Sequence, residues 1–74
     1  MSMVKKKHKI GKSTQQLLLH ATKMHGENAL SHIEESLTFD EYDAIEAFLS
    51  WLKKNNRSFG WNIAEVVKEW EKSQ

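Results

Sequence analysis

Hydrophobic residues recur with a helical period in four stretches of this chain. The longest and best patterned is Thr38 to Asn55, TFDEYDAIEAFLSWLKKN. At about 100° per residue, Tyr42, Ile45, Phe48, Leu49 and Leu52 fall on one broad stripe, with Asp43, Glu46 and Ser50 opposite. Ala44, Ala47 and Trp51 form a second, smaller apolar patch, so the wet face is narrow. One reading packs this helix against neighbours on two sides, the alanines allowing close approach. The other leaves Trp51 exposed as an anchor for a partner, although tryptophan is usually well buried.

The ends of this helix are written locally. Thr38 is placed to be the N-cap, with Glu41 completing a capping box and Leu37 and Tyr42 at staple positions. Asp40 and Glu41 in the first turn, and Lys53 and Lys54 in the last, suit the helix dipole. Asn55-Asn56 supplies a residue that tolerates the left-handed conformation ending a helix.

Three further helices are expected. Ser13 and Gln16 make a capping box for a first helix over 14–25, with Leu17, Leu18, Ala21 and Met24 as its apolar stripe and Gly26 as its stop. Leu19 points away from that stripe and gains interest only if it joins a patch with Trp51 or Phe59. A short second helix over 27–36 carries Ala29, Leu30, Ile33 and Leu37 on one side. A glycine inside a helix costs about 1 kcal/mol, so one bent helix through Gly26 stays open as an alternative. The last helix, 63–72, has Ile63, Val66, Val67 and Trp70 on a single stripe. Asn62 and Glu65 form its expected capping box, and Trp61 is placed to staple onto Val66. The expected fold is a compact all-α bundle of three to four short helices over 13–74, preceded by a basic, flexible amino-terminal arm over 1–12.

Composition supports that class. The chain has 74 residues, no proline and no cysteine, which excludes disulfide staples, thiolate nucleophiles and cysteine zinc sites. A core of this size rarely supplies more than about 3–5 kcal/mol net. No apolar run reaches the ~18–20 residues that span a membrane, and Leu17-Leu18-Leu19 is too short for a signal-peptide core. A cytoplasmic, membrane-free protein is the expectation.

Charge changes the picture more. The net charge of +1 hides strong segregation. Residues 1–25 hold Lys5, Lys6, Lys7, Lys9, Lys12 and Lys23 with no acid. Residues 26–50 hold Glu27, Glu34, Glu35, Asp40, Glu41, Asp43 and Glu46 with no lysine or arginine. Blocks of opposite sign are often interaction surfaces and are otherwise ordinary solvated faces.

Chemistry finds little support. Gly11-Lys12-Ser13 imitates the end of a phosphate-binding loop, but the glycine that motif needs five residues earlier is Lys6. His20, His25 and His32 lack the three- or four-residue spacing of paired helical metal ligands. Only a turn at Gly26 would bring His25 and His32 together, near Glu27 or Glu35. No residue spacing singles out a nucleophile and base, and the carboxylates fall on outward faces. A DNA-reading helix-turn-helix is disfavoured by the long connection before the last helix and by Glu65, Glu69 and Glu71 on it. No catalytic residue, metal or cofactor is therefore assigned.

The leading expectation is a non-enzymatic interaction protein that regulates or inhibits a larger intracellular protein. An acidic helical surface of Glu34, Glu35, Asp40, Asp43 and Glu46 suits the basic groove of a nucleic-acid-handling enzyme. Trp51, Arg57, Phe59 and Trp61 have the hot-spot composition to anchor it. The alternative for Phe59 and Trp61 is that they fold back over the small core. Two other functions remain open. Nucleic acid would bind through Lys5, Lys6, Lys7, Lys9, Lys12 and Lys23, with a steep salt dependence. A homodimer would cover apolar surface such as Trp51 with a second copy.

Overall fold

The computed structural model describes residues 8–74. It contains helices α1 (Lys12–His25), α2 (Ala29–Ile33), α3 (Phe39–Lys54) and α4 (Ile63–Lys72), with single 3-10 turns on either side of α2. Among the described residues there is no strand. The chain is an all-α bundle, as its periodicity predicts. No helix of the described residues is long and apolar enough to cross a membrane.

α3 begins and ends as its residues dictate. The Thr38 hydroxyl accepts the Glu41 N–H at 3.2 Å, and the Glu41 carboxylate accepts the Thr38 N–H at 2.9 Å. At the other end Asn56 takes φ 54°. The Arg57 N–H bonds Leu52 C=O and the Asn56 N–H bonds Lys53 C=O, the paired pattern that closes a helix through a left-handed residue. Ala44, Ile45, Phe48 and Leu52 are buried, while Tyr42, Ala47, Leu49 and Trp51 are half-buried. α3 thus packs on two sides, and its second patch is part of the packing.

The core joins Phe48, Leu18, Ile45, Val66 and Val67, each almost wholly removed from water, with Trp70 and Ile63 from α4. Phe48 is its hub. The rings of Trp70, Phe59 and Trp51 lie 5.3, 5.8 and 6.4 Å from its own, within the range where aromatic pairs gain beyond their buried area.

Three local expectations are corrected, and the break expected at Gly26 is found. α1 begins at Lys12 with Gly11 as its N-cap, and Ser13 caps nothing. Thr14 is buried instead, its hydroxyl donating to the Glu41 carboxylate at 2.8 Å. Gly26 takes φ 60°, ψ −126°, a conformation that L side chains rarely adopt. It separates α1 from α2, so residues 14–36 are not one bent helix. The stretch 27–36 is α-helical only over α2, its flanks tightening into 3-10 turns. Asn62 does not cap α4 with its side chain, whose Oδ1 accepts the Gly60 N–H at 3.0 Å.

The amino-terminal segment is more closely held than its lysines suggest. Ile10 is only 5% exposed and belongs to the core. Gln74 exchanges two hydrogen bonds with the His8 backbone, at 2.8 and 2.9 Å, and the His8 ring lies over Trp70. Residues 8–11 are therefore part of the folded body rather than of a free arm. Lys5, Lys6 and Lys7 lie outside the described residues.

Candidate functional site

The aromatic residues expected to act together are divided by the fold. Trp51 and Phe59 are half-buried against Phe48 and belong to the edge of the core. Arg57 is held by Glu69, Nη1 to Oε2 at 2.6 Å, which ties the loop to α4. Both side chains are about half exposed, so the pair contributes about 0–1 kcal/mol. Trp61 is 87% exposed. With so little of its ring buried, it does not staple onto Val66.

Trp61 forms one wall of a groove instead. Leu19 and Phe59 line it together with Gln16, His20 and Lys23, enclosing about 300 Å³. The Lys23 ammonium sits 4.6 Å from the centre of the Trp61 ring, a cation–π contact that holds positive charge at the mouth. The surface is mainly apolar, and α1, which supplies Lys23 and His20, carries no carboxylate. A second recess of about 340 Å³ continues from Thr22 and Phe59 towards Leu30 and Leu49. Leu19 does join a patch with Phe59, the condition under which its position on the polar side of α1 matters.

The acidic residues also separate into two groups. Glu34 and Glu35 line a recess of about 340 Å³ with Leu37, Thr38, Phe39 and Tyr42. Phe39, the first residue of α3, is 90% exposed there. Asp43 and Glu46 lie further along α3, lining a shallow depression with His8. Asp40 is exposed in the first turn of α3. Sequence reasoning missed Phe39. Its spacing from Tyr42 and Asp43 does not distinguish a stripe residue from a protruding one at a helix start. The available signal was that no earlier turn of helix exists to cover it.

Glu41 has a structural task at the start of α3. The Thr38 backbone N–H and the Thr14 hydroxyl bond its charged form and hold its pKa below the usual value of 4.5. It locks the start of α3 to α1.

The turn at Gly26 does bring His25 and His32 together. Their rings stack with centroids 3.6 Å apart and planes within 6°. Among the described residues no three His, Asp or Glu side chains gather closely enough to hold a metal ion. His20 stands apart in the groove beside Trp61. Of the candidate nucleic-acid contacts, Lys9, Lys12 and Lys23 are all exposed. Compared with known proteins, the chain matches no family model, no curated protein and no solved structure.

Proposed function

We propose that this chain is a small non-enzymatic interaction protein that regulates or inhibits a larger intracellular protein through its acidic side. The observation that carries the reading is Phe39, a large apolar side chain 90% exposed beside Glu34 and Glu35. A ring rimmed by carboxylates has the make-up of an interface anchor. Burying the ring supplies affinity, and the charges speed encounter with a basic partner and select against acidic ones. A partner with a basic groove, of the sort that handles nucleic acid, fits that chemistry. Trp51 and Phe59 drop out as anchors because they hold the core. Trp61 remains available for a separate contact.

The test is affinity capture from native lysate with and without nuclease, using wild type, Phe39→Ala and the double variant Glu34→Lys, Glu35→Lys. A stoichiometric protein that survives nuclease and is lost with both variants is the expected result. Retention of that protein by both variants would remove the acidic side from the interface. Capture that vanishes with nuclease would favour the second reading, nucleic-acid binding through Lys9, Lys12 and Lys23 with Lys5, Lys6 and Lys7. The exposure of the three described lysines supports that reading. It requires affinity to fall steeply with salt.

A further inference from the structure

The fold carries two exposed apolar features of opposite electrostatic character, and each is the complement of the other. One is a knob, Phe39, flanked by Glu34 and Glu35. The other is a hollow, the Leu19–Phe59–Trp61 groove, with Lys23 and His20 at its edge. The groove encloses about 300 Å³, and an apolar cavity of about 150 Å³ already accommodates benzene. A phenyl ring therefore fits with room for its backbone to approach. The groove walls suit a ring, since Trp61 and Phe59 both offer aromatic surface.

We propose that the occupant of this groove is a second copy of the chain, which inserts its Phe39 between Leu19 and Trp61 and places Glu35 against Lys23. Charge complementarity selects this occupant. α1 brings lysine and histidine but no carboxylate to the groove, while residues 26–50 carry seven carboxylates and no lysine or arginine. Lys23 over Trp61 puts the positive charge where a carboxylate flanking the incoming ring would arrive. Because knob and hollow are different patches, the contact joins unlike surfaces of the two copies. It shares the Phe39 knob with the function proposed above but is read out without any other partner, so the two can fail separately. It also covers Phe39, so self-association competes with any partner that uses the acidic side.

Unlike patches permit a complementation test. Sedimentation velocity is run on wild type from about 10 μM to about 1 mM, and on Phe39→Ala and Trp61→Ala alone and mixed in equal amounts. Circular dichroism confirms that both variants are folded, as expected for exposed positions. Wild type should show an average mass rising with concentration. Each variant alone should lose about tenfold or more in association constant. The mixture should form a one-to-one complex, because one variant retains the groove and the other retains the knob. Raising salt from about 50 mM to about 500 mM should weaken association by screening the Glu35–Lys23 contact. Wild type that stays monomeric throughout overturns the proposal. So does a mixture of folded variants that fails to associate while wild type does.

Discussion

Phe48, in the body of α3, and Trp61, just before α4, are both aromatic. Their environments are opposite. Phe48 is fully buried and touches three other aromatic rings, whereas Trp61 is mostly in water. Phe48→Ala should therefore cost about 3–5 kcal/mol, the transfer cost plus an unfilled cavity. That is comparable with the whole stability of a domain this small, and chemical denaturation should show the variant largely unfolded. Trp61→Ala should shift stability by no more than about 0.5 kcal/mol in the same assay, since it leaves no cavity. A large loss at Trp61 would mean that its ring packs in the core after all. At this scale the sequence separates the two residues only partly. Phe48 sits on a clean stripe with Ile45 and Leu52, while Trp61 lies in a loop where no periodicity assigns a side.

Among the elements, the start of α3 is the best specified and also the junction with α1. Thr38, Glu41 and Thr14 form one hydrogen-bonded set, and Glu41 makes it sensitive to pH. Bonds to the charged form lower the folded pKa below the unfolded value of 4.5. The stabilisation is therefore complete above that value and is lost as pH falls through the folded pKa. Thr14→Val removes one of the donors while keeping the shape. Its stability should fall less steeply than that of wild type as the solution is acidified below pH 4.5. Parallel curves for the two proteins would show that the Thr14 bond does not bias Glu41. The capping box was legible because it is a contact between neighbours three residues apart. The Thr14 bond was not, since it links residues 27 apart in the chain. Gly11 rather than Ser13 caps α1 for a related reason. Starting the helix at Lys12 keeps Thr14 inside its first turn and bonded to α3, so a distant partner overrides the better local capping propensity of Ser13.

For the whole molecule, the amino-terminal segment matters most. A run of lysines reads as a solvated arm, yet Ile10 is core and Gln74 binds the His8 backbone. Deleting residues 1–12 should therefore destabilise the fold by about 2–5 kcal/mol, the range for losing a buried isoleucine. Ending the deletion at residue 7 should spare that contact, and thermal denaturation of the two truncations separates them. Equal midpoints would place Ile10 outside the core. The shorter deletion tests nucleic-acid binding by Lys5, Lys6 and Lys7 while keeping Ile10 in the core.

The sequence by itself determined where the four helices lie, the ends of α3 and the segregation of charge. These depend on residues within a few positions of one another, where period, capping and dipole act. The stripes of α3 and α4 already marked much of the core, and tertiary structure decided which apolar residues at helix ends and in loops stay on the surface. Met24 illustrates this, since it lies on the expected stripe of α1 yet is 66% exposed. It lies at the carboxyl end of α1, where the chain turns away at Gly26, and no neighbouring helix covers that position. Phe39 and Trp61 stay outside for the same reason, each just beyond the reach of a packing partner. A single stretch of chain shows which side chains would gain by burial. Whether they find a surface to be buried against depends on how the helices pack, and that packing places the acidic knob and the basic groove on this molecule.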